Sequence, residues 1–168
     1  MKNMKKNIVI VGFNYEYNIE IAQGISDFFD MYFLDVDKFI EYQLQQKPVM
    51  AEVCGVEYLE KQENKVLKSC IEFENTVMTI PINYFLRNKI YKNFAESEII
   101  YLYFSKNKLE KLCENNNTSS FLLTDIITFE EKDSEIKSIT NAKIDIKNKS
   151  KDTILCEIKK YLEGICEH

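Results

Sequence analysis

The chain has 168 residues, a formal net charge of −5 and 45% hydrophobic residues, which predicts a single soluble domain spanning 1–168. The acidic balance argues against nucleic acid as a partner, because a phosphate backbone is bound by clustered lysine and arginine. No apolar run approaches the roughly 20 residues of a membrane span, and the basic N-terminus lacks the features of a signal peptide. We therefore expect a cytoplasmic protein with no membrane partner.

The first half of the chain alternates between strand and helix patterns. The segment 7–13 is continuously apolar, which is typical of a strand buried on both faces. After it, apolar side chains recur at helical spacing. The predicted elements are a strand at 7–13, a helix at 18–29, a strand at 31–37, a helix at 38–45 and a long helix at 55–70.

The second half continues the alternation. Its predicted elements are a strand at 76–80, a helix at 82–94, a strand at 98–104, a helix at 106–114, a loop-rich region at 115–135, a strand at 142–146 and a helix at 151–165 ended by Gly164. Strands joined by helical crossovers predict a parallel sheet that is covered on both faces. The fold class is therefore a three-layer α/β protein.

Three residue counts limit the chemistry. The single histidine is His168, the last residue, which argues against histidine-based catalysis and histidine–metal sites. The five cysteines contain no C-x-x-C pair, so we predict neither a zinc site nor a disulfide framework. Of the 22 basic residues only Arg87 is arginine, the side chain whose planar fork suits bidentate binding of carboxylates and phosphates.

The order of the elements resembles the shikimate kinases, which are small P-loop kinases. Four segments carry the resemblance: NIVIVGF, FLDVDKFIEYQ, AEVCGVEYLEKQENKVL and EIIYLYFS. The resemblance covers nearly the whole chain and implies a P-loop kinase fold with a five-stranded parallel sheet in the order 2-3-1-4-5. It also implies ATP and Mg²⁺ as cofactors and transfer of the γ-phosphoryl group to the 3-hydroxyl of shikimate.

The residues after the first strand depart from the family's phosphate-binding pattern G-x-x-x-x-G-K-[ST], which falls on Gly12, Tyr17, Asn18 and Ile19. Glycines let successive backbone amides approach the phosphates, whereas tyrosine adds bulk and isoleucine offers no metal ligand. Glu16 adds a carboxylate, and one like-charge pair at about 4 Å costs around 4 kcal/mol at an effective dielectric constant near 20. We therefore expect no nucleotide-binding residue, no metal and no cofactor.

Asp35 and Asp37 match the two aspartates of the family's F-x-D-x-D segment. The resemblance implies that one lies near Mg²⁺ and the other accepts a hydrogen bond from the shikimate hydroxyl, which would make both catalytic and Asp35 the metal ligand. The residues also fit a structural interpretation, in which Asp37 caps a helix and Asp35 ends a strand. The sequence leaves both interpretations open.

The positions that would bind the substrate are also altered. The family's arginine on the long helix falls on Glu60 with Lys61 beside it, and its Gly-Gly-Gly segment falls on residues 81–83. A second substrate arginine falls near Lys132. We expect Asp37, Lys61 and Lys132 as the candidate substrate-binding residues, although lysine binds a carboxylate only as a point charge and exposed lysines are usually just solvated.

The lid-like region at about 115–135 lacks the family's cationic character. No basic residue lies between Lys111 and Lys132, and Ser120 takes roughly the place of the lid arginine. Four acidic residues occupy the same stretch: Glu114, Asp125, Glu130 and Glu131. We do not expect such a flap to close over ATP.

Three hypotheses about function follow. We favour a shikimate-kinase-like pseudoenzyme that acts as a binding or regulatory protein, with a shikimate-like small molecule or another protein as its partner. The alternative is an active shikimate kinase that uses ATP and Mg²⁺ with Asp35 and Asp37. A third hypothesis is a sensor that keeps the shikimate pocket without ATP. The candidates for an exposed protein-binding patch are the tyrosines Tyr15, Tyr17, Tyr42, Tyr58 and Tyr84.

Overall fold

The computed structural model describes residues 6–115 and 127–166, except for the side chains at 112, 113 and 115. The segment 116–126, which contains Ser120 and the centre of the lid-like region, lies outside the described residues. Among the described helices, none is long and apolar enough to cross a bilayer.

Five parallel strands of the described chain form one sheet in the order β2-β3-β1-β4-β5. Their bounds are β1 Ile8–Gly12, β2 Tyr32–Asp35, β3 Thr76–Thr79, β4 Glu98–Tyr103 and β5 Ala142–Asp145. The central strand β1 is fully buried, with its residue Val9 opposite Met78 of β3 and Ile99 of β4. The predicted α/β class and strand order are confirmed.

Helices cover the sheet, and parallel strands require such crossovers. The α-helices are α1 Tyr15–Phe29, α2 Val36–Gln43, α3 Lys47–Cys54, α4 Val56–Ser69, α5 Ile82–Leu86, α6 Lys106–Asn115, α7 Phe129–Ile139 and α8 Lys151–Cys166, with 3₁₀ turns at Cys70–Glu72 and Arg87–Phe94. Helix α1 packs along β1 and β3 and against α8. The core is thereby formed between the sheet and helices such as α1, whose Ile21 and Ile25 are fully buried.

Two predicted helix starts near the candidate site are wrong. Helix α1 begins at Tyr15 and not at residue 18, because the side chain of Asn14 caps it by accepting a hydrogen bond from the Tyr17 amide at 3.3 Å. Helix α2 is capped by Asp35 and not by Asp37: the Asp35 carboxylate accepts from the Lys38 amide at 3.2 Å.

Further features differ from the sequence prediction, and one of them is α7, which makes residues 129–135 of the predicted loop-rich region helical. Helix α3 was not predicted, because none of its eight residues is buried and it therefore lacks an apolar stripe at helical spacing. The predicted helix at 82–94 is broken at Asn88 and Lys89, which have φ values of 53° and 55°. Helix α8 continues through Gly164 to Cys166. A glycine inside a helix costs about 1 kcal/mol, and packing of Ile165 against the core offsets this cost.

Replacing Gly12 by alanine should destabilise the protein by about 1–3 kcal/mol, the usual effect of overpacking. A β-carbon there would lie 2.7 Å from the Leu102 carbonyl oxygen and 2.9 Å from Asn18 Oδ1. Urea unfolding measures the change. The control is Gly164→Ala, whose β-carbon meets no atom within 4 Å and should leave stability unchanged or raise it. Equal stability of Gly12→Ala and the unmodified chain would contradict this packing.

Candidate functional site

The candidate site lies at the carboxyl ends of β1, β2 and β3, the edge where open parallel α/β sheets bind their ligands. Three short segments meet there: the connection from β1 to α1, the start of α2, and the residues after β3. The geometry of these segments determines which ligands the edge can accept.

The connection from β1 to α1 consists of Phe13 and Asn14, because β1 ends at Gly12 and α1 begins at Tyr15. A P-loop places a glycine-rich loop between the strand and the helix, and its backbone N–H groups surround the phosphates. Here α1 begins at Tyr15, which is the fourth of the eight residues in that pattern. The residues that would form the rest of the loop are the first turns of α1.

Each of the other pattern residues has a structural place in α1. Asn18 is buried and donates from Nδ2 to the Gly12 carbonyl at 3.0 Å. Tyr17 packs against the core, with Lys151 Nζ at 5.8 Å from its ring centroid. Glu16 is exposed in the first helical turn, where a negative charge is favoured by the helix dipole. Ile19 is half-buried on the same helix.

Tyr15 points across the sheet edge into the ends of β2 and β3. Its hydroxyl lies 2.7 Å from Asp35 Oδ1 and 3.1 Å from the Thr79 carbonyl oxygen, and it accepts from the Asp37 amide at 3.3 Å. Burial raises the pKa of the Tyr15 hydroxyl, and the hydrogen bond to Asp35 raises it further. The tyrosine is therefore neutral, and its hydroxyl donates a hydrogen bond to the Asp35 carboxylate.

A second aromatic contact closes the other side of the β1–α1 connection. The rings of Phe13 and Phe129 lie with centroids 4.6 Å apart, and both side chains are buried. Phe129 is the first residue of α7, which begins inside the lid-like region of about 115–135. The residue after Gly12 is thus part of the hydrophobic core.

The described residues do not fit a magnesium–ATP complex. Tyr15 and the Lys38 amide both donate to Asp35 Oδ1, and Asn18 and Ile19 supply neither a lysine for the phosphates nor a hydroxyl for a metal. In the described ranges, no group of three or more histidine, cysteine, aspartate or glutamate residues is arranged to hold a metal ion.

A partly buried ionic cluster surrounds the buried Glu63 near this edge, and we call its residues the Glu63 cluster: Lys47, Glu63, Asn64, Tyr84 and Arg87. Glu63 Oε2 accepts from Arg87 at 2.8 Å, and Oε1 lies 3.1 Å from Lys47 Nζ. Arg87 also donates to Asn64 Oδ1 at 2.9 and 3.2 Å. Tyr84 completes the cluster, because its hydroxyl lies 3.1 Å from Lys47 Nζ and its ring lies 5.1 Å from the Arg87 guanidinium.

The charges of the cluster affect its neighbours. Burial alone would lower the pKa of Lys47, but hydrogen bonds to Tyr84 and Glu63 raise it above the ordinary value, so the amine stays charged. Asp37 is half-exposed, and its carboxylate makes no hydrogen bond or ion pair with any residue that the structure describes. Burial, followed by the charge of Glu41, raises the pKa of Asp37.

The three candidate substrate-binding residues do not all lie at this edge. Asp37 follows β2, and Lys132 on α7 contacts Asn83, which follows β3, with Nζ 2.5 Å from Oδ1. Because β2 and β3 are neighbouring parallel strands, both side chains border the same end of the sheet. Lys61 instead lies on the exposed face of α4 and pairs with Glu57 at 3.3 Å.

Sequence reasoning missed the Glu63 cluster. Glu63 looked like one more polar residue of an amphipathic helix, and nothing local indicates that Lys47 and Arg87 converge on it. A signal was available, since the family pattern F-R-x-x-E places its glutamate three residues after Glu60, at Glu63. Glu63 is buried at that position, and its ion-pair partners are Lys47 and Arg87, the first residue of the 3₁₀ turn after α5.

Comparisons with known proteins place the fold. No protein-family model and no curated protein matches the chain. Among solved structures, the shikimate kinase from Acinetobacter baumannii in complex with shikimate has a TM-score of 0.76 at 16% identity, over 96% of this chain and 95% of that one. Shikimate kinase from Bacteroides thetaiotaomicron has a TM-score of 0.72 at 16% identity, over 95% and 99%.

A related small-molecule kinase has the same fold. A gluconokinase from Sinorhizobium meliloti 1021 has a TM-score of 0.65 at 13% identity, over 97% of this chain and 94% of that one. At such identities the similarity concerns the fold. The resemblance to shikimate kinases that was inferred from the sequence is confirmed at that level: the chain has the fold of shikimate kinases and related P-loop kinases.

Removing the buried carboxylate should destabilise the Glu63 cluster. In Glu63→Gln, Lys47 and Arg87 lose their common counter-ion, and breaking a buried ion pair from one side costs about 3–5 kcal/mol. Urea unfolding measures the loss. Glu57→Gln is the matched control, because it breaks the exposed pair with Lys61, worth about 0–1 kcal/mol. Similar losses for the two variants would contradict a buried role for Glu63.

Proposed function

We propose that this protein is a pseudoenzyme on the shikimate-kinase fold: a binding protein that neither binds ATP in the P-loop position nor transfers a phosphoryl group. The observation that carries the proposal is the position of Tyr15. Its ring and hydroxyl lie between β1 and the ends of β2 and β3, on a helix that begins where the phosphate loop would continue.

Admission of a triphosphate would require several changes at once. The first turn of α1 would unwind, and Tyr15 would lose hydrogen bonds that are worth about 0.5–1.5 kcal/mol each. The ring contact between Phe13 and Phe129 would separate, at a further cost of about 0.5–1.5 kcal/mol. The Glu16 carboxylate would then repel the phosphates it faces. These costs oppose binding of a triphosphate, which would gain no contact with a P-loop lysine or with a glycine-rich loop in return.

The part of the edge that follows β2 and β3 favours a different ligand. Asp37 offers a half-exposed carboxylate that can accept from a hydroxyl, and Lys132 brings a positive charge to the end of β3. We propose that these two residues bind a small hydroxylated acid of the shikimate type, held without ATP. Lys61 has no part in this proposal, because it is exposed on α4.

Mg-ATP should produce no saturable heat when it is titrated into the protein by isothermal calorimetry. We expect an affinity weaker than about 1 mM, equivalent to about −4 kcal/mol, because no backbone-amide loop is available. A micromolar Kd would contradict the proposal and favour the alternative of an active kinase. In that case a coupled assay with shikimate and ATP should detect turnover, and Asp37→Asn should abolish it.

Shikimate alone should raise the Tm of the protein in a thermal-shift experiment. Binding free energy converts to about 2–4 °C per kcal/mol for a chain of this size. Lys132→Ala should remove most of the rise, because the ammonium near Asn83 is lost. Lys61→Ala is the matched control and should keep it. No rise with shikimate, or equal losses in the two variants, would exclude this ligand class at Asp37 and Lys132.

A further inference from the structure

Lys47, the first residue of α3, has an ammonium group whose hydrogen-bonding capacity the fold does not use up. Its Nζ lies 3.1 Å from the Tyr84 hydroxyl oxygen and 3.1 Å from Glu63 Oε1. An ammonium group has three N–H donors, and the third has no hydrogen-bond or ion-pair partner among the residues that the structure describes. One donor of Lys47 is therefore available to a ligand.

The Glu63 cluster contains more positive than negative charge. The single carboxylate of Glu63 pairs with both Lys47 and Arg87, and in the described part of the chain neither cation has a second ion-pair partner. The side chains of Lys47 and Arg87 are only 22% and 20% exposed, so salt and water screen the surplus charge less than at an exposed site. An anion bound beside the cluster would compensate that charge.

Lys47 is within electrostatic range of the Asp37 carboxylate. Burial, followed by the charge of Glu41, raises the pKa of Asp37, whereas the charge of Lys47 lowers it. Of the two cations in the Glu63 cluster, Lys47 acts on Asp37 more strongly than Arg87 does. The surplus charge of the cluster is therefore felt at the half-exposed carboxylate that we assign to the ligand hydroxyl.

The first turn of α5 connects Lys47 with Lys132. The Tyr84 hydroxyl contacts Lys47, and the adjacent residue Asn83 contacts Lys132, with Nζ 2.5 Å from Oδ1. Both ammonium groups thus lie beside two consecutive residues that follow β3, and Asp37 follows the neighbouring strand β2. One carboxylate and two ammonium groups consequently border the same end of the sheet.

We propose that Lys47 binds the carboxylate of the small-molecule ligand and makes the site specific for acids. The inference rests on the proposed function, which assigns a hydroxylated acid to this edge. Asp37 accepts a hydrogen bond from a ligand hydroxyl, and Lys47 donates its third N–H to the ligand carboxylate, a charge-assisted hydrogen bond. A neutral ester of the same acid cannot compensate the surplus charge, so the site selects the acid over the ester.

Isothermal calorimetry with shikimate and with shikimate methyl ester tests the role of Lys47. The ester keeps the ring hydroxyls of the acid and lacks its negative charge. The unmodified protein should bind the acid at least about tenfold more tightly than the ester, because hydrogen bonds to a charged group are lost. Lys47→Gln should bind the acid about tenfold more weakly, and its ratio of acid to ester affinity should fall accordingly.

Three further variants separate direct binding from a structural effect. Arg87→Gln removes the other cation from the same carboxylate, so an effect that acts through Glu63 would appear in this variant too. Lys61→Gln removes an exposed charge on α4, and Lys47→Arg keeps the positive charge at the site. All three should keep the ratio of acid to ester affinity within about twofold of the unmodified chain. Circular dichroism verifies that every variant is folded.

Three results would overturn the role of Lys47 and leave shikimate as the ligand: equal affinities of the unmodified chain for acid and ester, unchanged binding in Lys47→Gln, or equal falls of the ratio in Lys47→Gln and Arg87→Gln. No binding of shikimate to the unmodified chain would overturn both the role of Lys47 and the proposed ligand. Binding of Mg-ATP would contradict the pseudoenzyme proposal alone, because the comparison of acid and ester uses no nucleotide.

Discussion

The hydrogen bonds of the Tyr15 hydroxyl are the interaction on which the account of this protein depends. They join α1 to the ends of β2 and β3 through Asp35 and Thr79, at the edge where this fold meets its ligands. A tyrosine can occupy that position only because α1 begins at Tyr15, and the helix begins there because Asn14 caps it. The start of one helix thereby determines which side chains lie at the sheet edge.

The two sides of the sheet edge therefore differ in the side chains that they present. On the side of β1 and α7, aromatic rings of the core lie where a phosphate loop would be open to solvent. On the side of α2 and α4, charged and polar groups remain, but Glu63 already neutralises much of the charge of Lys47 and Arg87. Asp37 and Lys132 are the groups at this edge on which our small-molecule proposal rests.

The sequence predicted the sheet and its order because strand periodicity and family-like segments are local signals spread along the whole chain. The altered phosphate loop stays a prediction, which rests on comparing each pattern position with the side chain that the pattern requires. The sequence did not predict that α1 starts early, that Asp35 and not Asp37 is the cap, or that Glu63 gathers Lys47 and Arg87. The two helix starts depend on single capping hydrogen bonds between residues three apart, Asn14 with Tyr17 and Asp35 with Lys38, and several nearby residues could have served as caps. The Glu63 cluster depends on contacts between residues far apart in the chain, such as Arg87 with Glu63. No local periodicity encodes such contacts.

The central claim is that residues 12–20 form a closed, helical segment that accepts no triphosphate. The most direct test is a titration of the ¹⁵N-labelled protein with Mg-ATP, followed by the amide resonances of those residues in ¹H–¹⁵N correlation spectra. The account predicts that the amides of Gly12, Tyr15, Glu16 and Tyr17 keep their chemical shifts throughout the titration. Saturable shifts confined to these amides would contradict it, because they would place the nucleotide against the start of α1.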